Sequence, residues 1–323
     1  MLNSINEILD GVSRMAIAGH VRPDGDCVGS VLGLYNYISE NMPDIQVDVF
    51  LESFEKHFNF LSGSDRVHNS SLKDEVKYDL FVILDCDSDR IADFAKKYFE
   101  TAEKTACIDH HVTNNHRAGI NHVLPEISSA SEVLFELLEP EKISKKTAEC
   151  LYVGIIHDTG CLKYQSTTSH TLNVVGRLMD KGIDYTNITD DTFYKKTYLQ
   201  NVVMGRCLIN SRLLLDGKLI YSYADRNLLD EYGISNKELG GIIDQLRFTE
   251  GVEVALFIYD LKDGRTKGSL RSINVVDVNL VANELGGGGH VRAAGFTTDI
   301  PAETAIKKVE ELVARQLEVS DNV

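Results

Sequence analysis

The sequence predicts an α/β protein in which a doubly wound, mostly parallel sheet is joined by a connecting helix to a smaller α+β domain. Short apolar runs alternate with amphipathic helical stretches over the first half of the chain. A long helical pattern follows, and beyond it apolar residues alternate with a period of two. We expect the first domain at 1–188, the connecting helix at 189–215 and the second domain at 216–323.

Four short apolar runs in the first half are expected to form buried strands, at 14–19, 45–51, 80–84 and 105–108. Amphipathic stretches between and after them predict helices, at 28–38, 129–138, 145–156 and 169–181. Strands that alternate with helices are joined by right-handed crossovers, which makes the sheet parallel and covers both of its faces.

The second domain is expected to combine strands and helices in a different order. Its predicted elements are strands at 218–224, 252–261 and 266–272, a helix at 276–285, a glycine loop, a strand at 294–298 and a helix at 302–317.

The composition argues against several classes of protein. With 33 Lys and Arg residues against 49 Asp and Glu residues, the 323-residue chain carries a net charge of −16, which speaks against binding to duplex DNA or to anionic membranes. No apolar run approaches the roughly 18 residues that span a bilayer. The six cysteines include no C-x-x-C pair and the N-terminus lacks a signal-peptide pattern, so we expect reduced thiols and a cytoplasmic location.

Acidic and histidine residues follow the ends of three predicted strands and of one apolar helical segment. They are His20, Asp24 and Asp26 after the first strand, Asp85 after the third, Asp109, His110 and His111 after the fourth, and Asp158 after the helical segment. Each alone has an ordinary explanation, since Asp and Gly favour turns and Asp often caps a helix. Ligands bind at the carboxyl edge of an open parallel sheet, so the recurrence predicts a functional site there.

The residue types at this edge predict a pair of divalent metal ions. Carboxylate and imidazole groups without thiolate favour Mn²⁺ or a similar ion over a cysteine-rich zinc site. Four carboxylates and two histidines exceed the needs of one small ion, and they suit two ions about 3.5–4 Å apart that share a bridging carboxylate and a water. Such a pair activates water and neutralises charge on a phosphoryl group. Without cations, the clustered carboxylates would repel one another.

A run of four glycines at 286–289, followed by His290, predicts a phosphate-binding loop. Successive glycines leave backbone N–H groups accessible as an anion nest, although a glycine run alone is more often a flexible loop. Lys267, Arg271 and Arg292 supply positive charge nearby in the sequence, and an arginine can bond a phosphate with two N–H groups. No aromatic cluster typical of an RNA-binding domain is present, so we expect a short substrate.

These motifs resemble those of the DHH phosphoesterase superfamily and its DHHA1 companion domain. The resemblance rests on His20-x3-Asp24-x-Asp26, Asp85, Asp109-His110-His111, Asp158, Ser269-Leu270-Arg271-Ser272 and Leu285-Gly286-Gly287-Gly288-Gly289-His290. Within the superfamily, the chain is similar to the group that degrades short oligoribonucleotides and 3′-phosphoadenosine-5′-phosphate. The resemblance implies a Mn²⁺-dependent hydrolase that releases nucleoside 5′-monophosphates from short RNA and AMP from that bisphosphate.

The resemblance also implies a role for each motif residue. One ion would be held by His20, Asp24 and Asp85, and the other by Asp26, Asp85, His110 and Asp158. Asp85 would bridge the two ions, Asp109 would orient an imidazole, and His111 would face the substrate phosphate. The substrate would be bound by Arg271, Ser272, Gly287, Gly288, Gly289 and His290.

Other functions remain open on the sequence alone. Related proteins of the superfamily cleave cyclic dinucleotides or linear pApA, and a module that senses nucleotides without turnover is an alternative of another class. Inorganic pyrophosphatases share the first-domain motifs but lack the glycine–histidine loop. A homodimer is also left open. Cys86 after Asp85 and His157 before Asp158 depart from the family pattern.

Overall fold

The computed structural model describes residues 1–320, which divide into two compact units. The first unit covers Met1–Lys195, and the second begins at Lys196. Each unit has a sheet of its own with helices packed on it, so the predicted α/β fold class is confirmed. Among residues 1–320, every helix is too short or too polar to span a lipid bilayer.

The first unit contains a sheet of six parallel strands in the order β3-β2-β1-β4-β5-β6. The strands are β1 (Arg14–Ala18), β2 (Gln46–Phe50), β3 (Val67–His68), β4 (Leu80–Leu84), β5 (Lys104–Asp109) and β6 (Ile120–Val123). The strand order reverses between β1 and β4, where Ile17 lies opposite Val82. The predicted doubly wound sheet is therefore confirmed, and β3 and β6 add short strands at its two edges.

Helices cover both faces of this sheet. They are α1 (Asn6–Leu9), α2 (Gly25–Asn41), α3 (Asp93–Thr101), α4 (Ala130–Leu137), α5 (Lys145–Asp158), α6 (Ser169–Met179) and α7 (Tyr185–Thr189). The helices α2 and α5 approach each other closely, because a Cβ added at Gly29 would lie 2.5 Å from the carbonyl oxygen of Cys150. This approach brings the end of α5 toward the start of α2. The opposite face holds a smaller aromatic core that includes Phe50, Tyr78 and Tyr98.

The predicted connecting helix at 189–215 is not continuous in the structure. After α7 the chain forms a π-helical turn (Asp190–Tyr194) and becomes extended at Lys195. A new helix, α8 (Tyr198–Ile209), then begins at a capping box in which Thr197 and Gln200 bond each other's backbone N–H groups. This cap starts a separate helix and thereby divides the predicted one. The division between the two units falls within this predicted connecting segment.

The second unit is built on a mixed sheet in the order β11-β12-β10-β9-β8-β7, in which only β8 and β9 pair in parallel among the described strands. After α8, its elements are β7 (Arg212–Leu214), β8 (Leu219–Ala224), α9 (Arg226–Glu231), α10 (Ile242–Arg247), β9 (Val254–Asp260), β10 (Thr266–Ser272), α11 (Val278–Asn283), β11 (Gly288–His290), β12 (Ala293–Thr298) and α12 (Ala302–Ser320). One apolar core lies toward α11 and α12, and another toward α8, α9 and α10.

Candidate metal centre

The carboxyl ends of β1, β4 and β5 lie side by side where the strand order of the first unit reverses. His20 lies just beyond β1, Asp85 follows β4, and Asp109 ends β5 with His110 after it. The remaining acidic residues come from helices. Asp24 is the N-cap of α2 and Asp26 lies in its first turn, whereas Asp158 is the last residue of α5. Strand ends and helix ends therefore supply the site together, at the edge where open α/β sheets bind ligands.

Asp85 lies at the centre of the cluster and faces two imidazoles with its two oxygens. Its Oδ2 is 3.4 Å from Nε2 of His20, and its Oδ1 is 3.5 Å from Nε2 of His110. The carboxylate is 2% exposed, yet Oδ1 has no hydrogen-bond partner among the described residues. A buried carboxylate oxygen without a partner is costly. A divalent cation between the carboxylate and the imidazoles would satisfy it.

The His20 ring faces its acidic neighbours with Nε2, the nitrogen that is free to bind a metal ion. Its Nδ1–H donates to the carbonyl oxygen of Val21 at 2.9 Å, which leaves Nε2 as the ligand atom. Asp24 lies 3.6 Å from this Nε2, and its Oδ1 also caps α2 by accepting the N–H groups of Asp26 and Cys27. Burial raises the pKa of Asp24, but the hydrogen bond and charge of His20, together with the N–H groups of Cys27 and Asp26, outweigh burial and lower the pKa to about 2. The Asp24 carboxylate is therefore charged and available to a cation.

A second group forms around His110. Its Nε2 lies 3.3 Å from Oδ2 of Asp158 and 3.9 Å from Oδ2 of Asp26. Asp26 is held in place because its oxygens accept the backbone N–H groups of Ala130 and Ser131, at the N-terminus of α4. Burial, and after it the negative charges of its neighbours, raises the pKa of Asp26. Burial also raises the pKa of Asp158, to about 6.

The donor atoms of both groups fit divalent cations. Two ligand atoms that each lie about 2.1 Å from one ion are about 3.0–3.5 Å apart, and the nitrogen–oxygen distances here are 3.3–3.9 Å. Burial is the main cause of the raised pKa values of Asp26 and Asp158, and repulsion between the carboxylates adds to it, so a cation that neutralised their charge would be favoured here. Cys27 also reaches the His20 group, but burial raises the pKa of this thiol to about 12, so it remains protonated.

Asp109 differs from the other carboxylates because both of its oxygens are already bonded. Its Oδ1 accepts the N–H of His110 at 2.7 Å and Nδ1–H of His111 at 2.8 Å, and its Oδ2 accepts Nδ2–H of Asn114 at 2.6 Å. The hydrogen bond to Asp109 raises the pKa of His111 and leaves Nε2 as the nitrogen that can bond a ligand. Asn114 was not predicted from the sequence, because an Asn in a loop gives no signal of this contact.

The predicted substrate residues of the second unit lie on and beside its sheet. Arg271 and Lys267 lie on the same side of β10. The backbone of Arg271 pairs with Ala293 of β12. Small residues opposite the arginine leave its side chain half-exposed. Ser272 is buried, and its hydroxyl donates to the carbonyl oxygen of Val291. His290 is exposed at the end of β11.

Three N–H groups of the glycine run are not accessible in the way that the predicted nest requires. The N–H groups of Gly286 and Gly287 donate to carbonyl oxygens at the end of α11, and that of Gly289 donates to Oδ1 of Asn279. The glycines instead permit close packing, because a Cβ at Gly287 would lie 2.1 Å from the carbonyl oxygen of Gly295. The expected anion nest is therefore wrong for these three N–H groups in this conformation, and substrate binding by Gly287, Gly288, Gly289 and His290 stays a prediction.

Comparison with known proteins finds a known domain in each unit. Residues 14–155 match the N-terminal domain of the DHH family, and residues 216–316 match the DHHA1 domain. The chain is 29% identical to a probable bifunctional oligoribonuclease and PAP phosphatase NrnA of Streptococcus mutans, over 88% of this chain and 89% of that protein. It is 26% identical to the bifunctional oligoribonuclease and PAP phosphatase NrnA of Bacillus subtilis, over 85% and 86%.

A solved structure is similar over nearly the whole chain. The crystal structure of an exopolyphosphatase-related protein from Bacteroides fragilis has a TM-score of 0.85 and 26% identity, and the match covers 96% of this chain and 94% of that one. This likeness extends over both matched domains. The chain belongs to the DHH family of phosphoesterases and carries a DHHA1 domain.

Proposed function

We propose that this chain hydrolyses short oligoribonucleotides to nucleoside 5′-monophosphates, and 3′-phosphoadenosine-5′-phosphate to AMP, with two divalent ions that we expect to be Mn²⁺. The observation that carries the proposal is the position of Asp85, whose two carboxylate oxygens face separate imidazole groups while one oxygen lacks any hydrogen bond in the described structure. The oligoribonuclease and PAP phosphatase names of the two relatives support the substrate class.

The ligand sets divide between the two groups described above. His20, Asp24 and Asp85 would hold one ion, and the other would be held by Asp26, Asp85, His110 and Asp158. When bound, such a pair of ions supplies an activated water and neutralises negative charge on the phosphoryl group. The backbone N–H groups at the start of α4 fix Asp26, and Val21 fixes the His20 ring, so the ligands are oriented before any ion arrives.

His111 is suited to bond the substrate phosphate. Its ring is held by Asp109, which is itself fixed by Asn114. Because the hydrogen bond to Asp109 raises the pKa of His111, the ring can carry a proton for the oxygen that leaves phosphorus. Asp109 thus acts by orienting His111 and stabilising its positive form.

The second unit would recognise the end of a short substrate. Arg271 can bond a phosphate with two N–H groups, and His290 adds a donor at the end of β11. These side chains would present the substrate with a local positive charge, although the chain as a whole has a net charge of −16. Short phosphorylated nucleotides fit this arrangement better than long RNA, which proteins usually bind through extended basic or aromatic surfaces.

The test is a substrate panel with the purified full-length chain and Mn²⁺. The panel contains 5′-phosphorylated RNA of two to seven nucleotides, 3′-phosphoadenosine-5′-phosphate, linear pApA and cyclic di-AMP. We expect mononucleotide release from the shortest RNAs and phosphate release from the bisphosphate. Faster cleavage of cyclic di-AMP than of either would replace the proposed substrate with a cyclic dinucleotide. Tight nucleotide binding without turnover would indicate a sensing module.

A further inference from the structure

We propose that His157 is a positioning residue for the metal centre. Its ring holds the ends of α2 and α5 that carry the proposed ligands, and it links these ends to the π-helical turn. The inference rests on the metal centre proposed above. His157 directly precedes Asp158, one of the proposed ligands.

The imidazole of His157 packs directly on the first turn of α2. A Cβ added at Gly25 would lie only 2.3 Å from Cγ of His157, so the ring lies against the backbone of α2. Gly25 stands between Asp24 and Asp26, which belong to different ligand sets. Because His157 is also adjacent to Asp158, one ring touches or adjoins the segments that carry three of the proposed ligands.

Aromatic side chains from separate parts of the chain hold this ring in place. Phe58 and Phe193 meet it edge to face, with ring centroids 5.1 Å and 5.5 Å away. His57 lies nearly parallel to it at 6.4 Å. Such contacts limit rotation of the imidazole, which makes it a firm support for the α2 backbone.

A hydrogen bond connects the ring to the π-helical turn. Nε2 of His157 lies 3.1 Å from Oγ1 of Thr192, and the Thr192 hydroxyl donates to the carbonyl oxygen of Ile188 at 2.8 Å. The hydroxyl must therefore accept from His157, which fixes Nε2–H as the donor. The turn itself is closed by the bond from Lys195 N–H to the Asp190 carbonyl oxygen, and π-helical turns are frequent at functional sites.

This geometry argues against two other roles for His157, that of a metal ligand and that of a side chain that only fills space. The Nε2 atom is engaged by Thr192, and the ring belongs to none of the groups of side chains close enough to share a cation among the described residues. A merely space-filling role would not require the hydrogen bond, which a buried Phe or Leu cannot make. The contact with Thr192 is thus the feature that separates positioning from packing.

The experiment compares Mn²⁺ binding by full-length variants, using isothermal titration calorimetry for affinity and stoichiometry and electron paramagnetic resonance for coupling between ions. His157→Ala should weaken Mn²⁺ binding by about 10–100-fold, the usual cost of losing a group that orients metal ligands. Thr192→Val should weaken it in the same direction by a smaller factor. His157→Gln, which keeps a donor near the Nε2 position, and Thr192→Ser should restore most of the affinity.

Thr189→Val is the matched control. The Thr189 hydroxyl bonds Tyr152 and not His157, although it lies one helical turn away from Thr192. Its removal should leave Mn²⁺ affinity unchanged. Thermal unfolding of each variant shows whether it is folded, and Thr192→Val decides the matter if His157→Ala does not fold.

The outcomes separate this inference from the proposed function. A wild-type chain that binds no Mn²⁺ would contradict the metal centre itself. If the wild type binds two ions and folded His157→Ala and Thr192→Val bind them with wild-type affinity and coupling, His157 has no positioning role. Loss of affinity in Thr192→Val but not in Thr192→Ser or Thr189→Val is the result that supports it.

Discussion

Two edges of the protein differ in burial and in hydrogen bonding. The first is the acidic edge of the first unit, which carries the Asp–His cluster, and the second carries Arg271, the glycine run and His290 in the second unit. In the first unit, Asp26 and Asp85 are almost fully buried, and the only buried oxygen of this pair without a partner points at His110. In the second unit, Arg271 is half-exposed and His290 is exposed.

The difference suits the first edge to chemistry and the second edge to substrate binding. A buried and ordered cluster suits chemistry, because its charges act at short range and need little rearrangement. An exposed face with long cationic side chains suits substrate binding, because these side chains can adapt to ligands of different length. Changes at the first edge should therefore act on turnover, and changes at the second edge should act on substrate affinity.

Asp85→Asn should have the largest effect. Turnover of a short 5′-phosphorylated RNA should fall by about 10³-fold, because the ions that the carboxylate would bridge should contribute several kcal/mol to the transition state. Steady-state kinetics and the number of bound Mn²⁺ ions measure the effect. Asp89→Asn is the control, since the exposed Asp89 pairs with Arg117. Turnover near the wild-type rate in Asp85→Asn would remove the bridging role.

Removing metal should destabilise the first unit selectively. Mn²⁺ at about 100 times its Kd should stabilise the folded unit by about 2.7 kcal/mol for each site. Hydrogen exchange with and without EDTA measures this for each strand, and we expect protection to fall in β4 and β5 but not in β9 and β10. An equal change in both sheets would mean that Mn²⁺ does not bind at the predicted edge alone.

Arg271→Ala should raise KM by about 10–100-fold at unchanged kcat, because a charged hydrogen bond contributes about 1.5–3 kcal/mol. Arg271→Lys should recover part of the loss. Lys267→Ala, on the same side of β10, is the matched control and should change KM less. A fall in kcat with unchanged KM would instead assign Arg271 to a contact made in the transition state.

Gly287→Ala should destabilise the second unit by about 1–3 kcal/mol through overpacking, because its methyl group would meet the Gly295 carbonyl oxygen. Urea denaturation measures the effect. Gly288→Ala is the control, since its nearest contact is the flexible Asn283 side chain at 3.2 Å. Equal destabilisation by both substitutions would show that close packing at Gly287 is not the cause.

The sequence predicted the strands of the first unit that contain a short run of mainly apolar residues. The runs at β1, β2, β4 and β5 are of this kind, and their positions agree with the structure. The two-residue strand β3 and the partly polar strand β6 at the sheet edges were missed, because short edge strands bury too little to show a pattern. The connecting segment was predicted as one helix, because its apolar pattern does not reveal the capping box at Thr197.

The site residues were predictable where they follow strand ends, but their partners were not. Asp26 owes its position to the N–H groups at the start of α4, more than a hundred residues away in the sequence. Asp109 likewise depends on Asn114, which lies in a loop. The sequence also did not reveal that three N–H groups of the glycine run are bonded by Asn279 and by carbonyl groups at the end of α11. Such contacts follow from tertiary packing and leave no local pattern.

The backbone of Asp85 has a φ of 62°, in the left-handed region. This region costs most residues about 1–2 kcal/mol, whereas Gly, Asn and Asp adopt it readily. An asparagine here would keep the shape of the loop and change a single atom from oxygen to nitrogen. Loss of turnover in such a variant would therefore report on the negative charge of residue 85 and not on a change in the backbone around it.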